Sequence, residues 1–85
     1  MNYVVVRYQK LVRTFLVDAT TFSLDLSAAK VFSTVREAYD AKGLAERLLQ
    51  EFGYYVETPD GILVDEKGDM YGKTTKKKSS KSSYM

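Results

Sequence analysis

The chain contains no cysteine, no histidine and no tryptophan, and only one proline. Without cysteine there is no disulfide framework and no thiolate metal site, which fits a reducing compartment. Without histidine there is no His-based zinc site, no Ser-His-Asp triad and no histidine general base. Long apolar runs are missing as well, and no stretch approaches the roughly 18 residues that a membrane-spanning helix requires. "MNYVVVRYQKLVRTFLVD" is interrupted by Arg7, Lys10 and Arg13, so it lacks the continuous apolar segment of a signal peptide. These absences predict a soluble, cytoplasmic protein with no membrane contact. What is present is a chain of 85 residues, 45 % of them hydrophobic. That is the size of one domain and too apolar for a disordered chain. A domain this small, with no staples, must use its core fully.

The net charge of +2 hides an asymmetry. All eleven acidic residues precede position 70. Nine of the thirteen basic residues lie in 1–73, and the other four are Lys76, Lys77, Lys78 and Lys81. The body is therefore slightly acidic, and the end, "TTKKKSSKSS", is basic. A Lys/Ser segment of this kind cannot bury enough apolar surface to offset its ordering entropy. The expected organisation is one domain over 1–73 and a disordered tail over 74–85.

Patterning gives the order of elements. Residues 3–8, "YVVVRY", and 11–17, "LVRTFLV", are rich in β-branched and aromatic residues and predict two strands. A hairpin turning near Gln9 and Lys10 fits better than one strand of about 16 residues, since strands usually run three to ten. Alternation places Val4, Val6 and Tyr8 on one face, and Leu11, Phe15 and Val17 on another. Residues 18–33 form a connector in which Asp25 can cap one helical turn. Phe22, Leu24, Leu26 and Phe32 are expected to fold back onto the domain.

"TVREAYDAKGLAERLLQEF" predicts a helix. Thr34 and Glu37 have capping-box spacing, and Ala38, Ala41, Ala45, Leu48 and Phe52 form an apolar stripe, with Leu44 and Leu49 flanking it. Gly53 is the expected stop. Then "YYVET-PDG-ILVDE" predicts a hairpin on a Pro-Asp-Gly turn, and "KGD" a further turn before a short "MYGK" strand. The expected fold is α+β, a β-β-α-β-β order with an antiparallel sheet of about four strands and one helix on one face.

Catalytic constellations are sparse. Asp65, Glu66 and Asp69 cluster at a glycine turn but do not match a calcium loop, and a solvated hairpin tip explains them. No glycine-rich phosphate loop is present. No catalytic residue, metal site or cofactor is expected, and the chain is read as a non-enzyme. Two kinds of partner fit the surface residues. Tyr3, Arg7, Tyr8 and Arg13, with Phe15, can make an aromatic and basic platform for nucleic acid, aided by Lys76, Lys77, Lys78 and Lys81. The same residues also fit ordinary cross-strand packing. Seven tyrosines and four phenylalanines exceed what so small a core can hold. Tyr39, Tyr54, Tyr55 and Tyr71 lie near helix and hairpin ends and are candidates for a protein interface. A sheet edge offers a third route, to a homodimer.

The segment "DLSAAKVFSTVREAYDAKGLAERL" resembles one found in short, uncharacterised proteins of bacteriophages and mobile elements. In those, a strand pair and polar connector lead into an A-K-x-F-x-T/S-x-x-E-A helix start. Here it is carried by Ala29, Lys30, Phe32, Ser33, Thr34, Glu37 and Ala38. The resemblance implies a viral or mobile-element origin and no chemistry. It also implies an inhibitor or adaptor acting on a host protein in the host cytoplasm, anti-defence proteins included. A non-catalytic interaction module binding a host protein is therefore the expected function, with nucleic-acid binding the alternative.

Overall fold

The β-branched run near the N-terminus becomes the strand around which the molecule is built. The computed structural model describes residues 1–71. The expected tail over 74–85 lies outside the described residues, as do Gly72 and Lys73. β1 (Val4–Gln9) pairs with β2 (Val12–Leu16) on one side and β4 (Tyr55–Glu57) on the other, both antiparallel. Two-residue strands extend the sheet: β3 (Phe22–Ser23) beside β2, and β5 (Leu63–Val64) then β6 (Met70–Tyr71) beyond β4. The fold is α+β, a small antiparallel sheet with one helix. The strands number six and not about four. The additional pair arises because the connector returns along β2 at Phe22 and because the KGD turn brings Met70 and Tyr71 back alongside β5.

The first hairpin turns one residue later than expected. Gln9 pairs with Val12, and the two-residue loop is Lys10 and Leu11, with φ of 51° and 70°. Positive φ at both loop positions is the type I′ geometry that matches strand twist. Neither residue prefers it, and the left-handed conformation costs about 1 kcal/mol or more at each. Register prevails over local preference here. It sets Val6 opposite Phe15, so Phe15 shares the face of Val4, Val6 and Tyr8 and does not lie on a different one as the alternation suggested. Leu11 belongs to neither face and is 96 % exposed at the loop tip.

The connector makes the expected 3-10 turn at Leu26–Ala28, capped by Asp25, whose carboxylate accepts from the Ser27 N–H at 2.9 Å. Phe32 then bridges to Tyr3 by two backbone hydrogen bonds, and both side chains are buried. Phe22 packs on the core as expected, whereas Leu24 and Leu26 remain exposed.

Helix α1 (Val35–Leu49) starts at Thr34, whose hydroxyl accepts from the Glu37 N–H at 3.1 Å. The Glu37 carboxylate turns back to accept from the Thr34 and Ser33 hydroxyls, not from the cap N–H. Ala38 and Ala45 are fully buried against β1 and β4, and their small size lets the helix lie close to the sheet. Val35, Ala41 and Leu49 pack beside them. Leu48 and Phe52 are not part of this stripe and are 55 % and 84 % exposed. From Ala45 the buried line continues four residues on, to Leu49, which turns Leu48 outward. Phe52 lies beyond the helix end. The stop is Gln50 in the left-handed conformation, with the Glu51 N–H bonding back to the Glu46 carbonyl. Gly53 (φ 92°) serves the following bend into β4.

Leu11→Gly should stabilise the fold by about 1 kcal/mol, because glycine relieves the left-handed strain and Leu11 buries nothing. The urea midpoint should rise at unchanged slope, and a lower midpoint would contradict the assigned turn.

Candidate interaction surface

Strand register decides which side chains face the helix and which face away. Val5, Val56 and Val64 pair across β1, β4 and β5, and all lie buried in the main core with the helix alanines. The alternate positions point to the opposite side. There Phe15, Val6 and Tyr55 form one cross-strand row, Val4, Glu57, Leu63 and Tyr71 a second, and Arg13 with Tyr8 a third. Among the described residues no α-helix covers this side.

Val4, Val6 and Phe15 are nevertheless buried, in a second small cluster against which Ala29 of the connector packs. A charged clamp lies beside them. Arg13 on β2 reaches past β1 to Glu57 on β4, with Nε and Nη2 2.8 and 2.6 Å from Glu57 Oε1. The same guanidinium donates to the carbonyls of Thr58 and Pro59 and sits 4.8 Å from the Phe15 ring centre. The Tyr8 hydroxyl donates to Glu57 Oε2 at 2.7 Å. Glu57 is 4 % exposed, so a buried carboxylate is satisfied by one cation and one phenol. Side chains thus add a second tie across three strands already paired through their backbones.

Around this clamp stand half-exposed apolar groups: Tyr8, Tyr55, Leu63 and Tyr71, 37–52 % exposed. Tyr8 and Tyr55 meet edge to face with centres 5.8 Å apart. The Tyr71 hydroxyl donates to Asp65 Oδ2 at 2.8 Å, while Asp65 Oδ1 accepts from the Lys67 and Asp69 N–H groups. The Asp65 carboxylate is thus engaged in turn geometry and in holding Tyr71. Among the described residues no group of three or more His, Cys, Asp or Glu side chains could hold a metal ion.

The structure divides both candidate sets. Of the proposed nucleic-acid platform, Tyr8 and Arg13 lie on the uncovered side. Tyr3 is buried in the main core, and Arg7 lies on the helix side. There Arg7 pairs with Glu51 at 3.2 Å and lies over the Phe22 ring at 4.3 Å, with its Nε buried and without a hydrogen-bond partner. Lys76, Lys77, Lys78 and Lys81 lie outside the described residues. Of the protein-interface candidates, Tyr55 and Tyr71 are on the uncovered side. Tyr54 is 3 % exposed, against Phe22, and Tyr39 is half-buried with its hydroxyl on the Val64 carbonyl at 2.6 Å. The expected exposure of Tyr54 fails because parity in β4 turns it, like Val56, toward the helix. Leu63 and Glu57 were not singled out from sequence, although Glu57 between Val56 and Thr58 is an acid inside a strand and so needs a partner across the sheet.

Burial raises the hydroxyl pKa of Tyr8, with the hydrogen bond to Glu57 adding to it. Tyr39 and Tyr54 are raised in the same direction, also chiefly by burial.

No family model, no curated protein and no solved structure matches this chain. Among the described residues no helix is long and apolar enough to cross a membrane.

Two outcomes test the clamp. Glu57→Gln should cost about 2 kcal/mol by chemical denaturation, less than a fully buried pair because Arg13 keeps some solvent contact. Stability should also fall in alkali. The native state holds the protons of Tyr8, Tyr39 and Tyr54 more tightly than the unfolded chain. Their contribution is therefore complete below about pH 10 and lost as pH rises through the raised native values. A urea midpoint that stays flat between about pH 9 and 12 would contradict this.

Proposed function

We propose that the chain is a non-catalytic interaction module whose uncovered sheet face binds a protein. The observation that carries this reading is the set of half-exposed apolar groups, Tyr8, Tyr55, Leu63 and Tyr71, on the sheet face whose strands β1, β2 and β4 the Arg13–Glu57 clamp braces. Tyrosines anchored on a rigid sheet lose little conformational freedom on binding, and they are enriched among residues that dominate interface energy. The hydroxyls of Tyr8 and Tyr71 are already bound to carboxylates, which orients the two rings before a partner arrives.

A protein partner is also supported by what a phosphate ligand would require. Arg7 and Arg13 lie on opposite sides of the sheet, and each is paired with a carboxylate. A polyanion would have to displace Glu51 or Glu57 to reach them. The resemblance of the helix start to that of short bacteriophage proteins makes a host protein the proposed partner, with inhibition or adaptation as the outcome.

The test is capture from host-cell lysate on the immobilised chain, with and without nuclease, followed by reconstitution of the captured protein in pure form. Tyr55→Ala should weaken the reconstituted complex roughly tenfold, as expected for an interface anchor. Arg36→Ala, on the far side of the helix, should leave it unchanged. Loss of all captured material with nuclease, or equal affinity of wild type and Tyr55→Ala, would refute the reading.

A further inference from the structure

We propose that the outward face of α1 pairs with the same face of a second copy of this chain, antiparallel about a two-fold axis that passes between Gly43 and Leu44. Arg36, Asp40, Gly43 and Arg47 recur at steps of four, three and four residues and so share one face of the helix. It lies opposite the buried Ala38 and Ala45. Among the described residues nothing packs on or pairs with this face. Lys42 and Glu46, on its flank, pair with each other at 3.2 Å. Arg36, Asp40 and Arg47 make no ion pair or hydrogen bond among the described residues.

An isologous contact requires a patch that complements itself. This one does. With the axis between residues 43 and 44, each Asp40 comes opposite Arg47 of the second copy, so two opposite-charge contacts form. Each Leu44, 37 % exposed, comes opposite the Gly43 of the other helix. Gly43 gains a role in such a contact. Its φ is helical, and a Cβ built there would meet nothing within 4 Å. Inside the molecule it therefore only weakens the helix, by about 1 kcal/mol relative to alanine. Against a second helix it is a notch that admits a leucine and lets the two backbones approach. Leu48, four residues on from Leu44 and 55 % exposed, flanks the contact on the Leu44 side. The outermost described strands, β3 and β6, have two residues each, so a sheet-edge dimer would gain few backbone hydrogen bonds. A single helix pair buries less than a standard interface, so the association is weak and is to be sought at protein concentrations of roughly 10 µM to 1 mM.

Sedimentation equilibrium from roughly 10 µM to 1 mM, spanning that range, tests the pairing. Wild type should shift from monomer to dimer. Arg47→Asp and Asp40→Arg should each weaken the dimer roughly tenfold, since each variant sets like charges face to face twice. The double variant D40R/R47D should restore it, because the swapped charges meet again across the axis. Gly43→Lys should abolish the dimer while the thermal midpoint measured on monomer stays level or rises, because the side chain has room and improves helix propensity. A wild type that is monomeric throughout, single charge variants that dimerise like wild type, or a double variant no tighter than the singles would each overturn the proposal.

Discussion

β1 must be covered on both of its faces, and the rest of the structure follows from that. Val4, Val5 and Val6 are consecutive, β-branched and fully buried. Consecutive residues of a strand point to opposite sides, so three buried valines in a row demand apolar contact above and below the sheet. The helix supplies one side through Ala38 and Ala45. Among the described residues there is no second α-helix for the other. The second side is closed instead by Phe15, by Ala29 of the connector and by the Arg13–Glu57 clamp.

That substitution shapes the surface. A helix would have hidden the whole second face. A clamp and one connector residue hide only its middle, leaving Tyr8, Tyr55, Leu63 and Tyr71 around the rim, half in water. Tyrosine suits such a position because its ring packs while its hydroxyl finds a polar partner. Both Tyr8 and Tyr71 do so, on Glu57 and Asp65. The groups proposed to bind a partner are therefore by-products of how the sheet is closed, and the same carboxylates that stabilise the strands also aim the rings.

The helix was legible in the sequence where its signals were local. Thr34 caps it, Glu37 answers, and Ala38 and Ala45 face the sheet as their spacing indicates. The Pro-Asp-Gly hairpin was legible for the same reason: Gly61 takes φ 98° and its N–H bonds to the Thr58 carbonyl. What could not be read depended on pairing across distance. The turn at Lys10 and Leu11 is imposed by the register of β1 on β2 against the preference of both residues. The burial of Tyr3 and Tyr54 depends on which way a strand's parity falls once it is paired. Most of the candidate surface belongs to this class, since Arg13, Glu57 and Tyr55 come from three different strands.

The two proposed contacts use opposite sides of the molecule and differ in physical character. The sheet side is preorganised: its rings and charges are already bonded to one another, so a partner gains from shape and apolar area more than from charge. The helix side is the reverse. Its charges, Asp40 and Arg47, are unpaired among the described residues, and its shape carries a gap at Gly43 where a Cβ would meet nothing within 4 Å. Unpaired charges beside a notch favour a partner of matching pattern, and the pattern they match is their own. Because the small alanines that seat the helix on β1 and β4 fix its rotation, the same contacts that build the core also decide which residues face outward for pairing. Anything that rolled the helix by one position would bury Leu44 or Leu48 in place of Ala45 and overfill the core. The outward face is thus as firmly specified as the buried one.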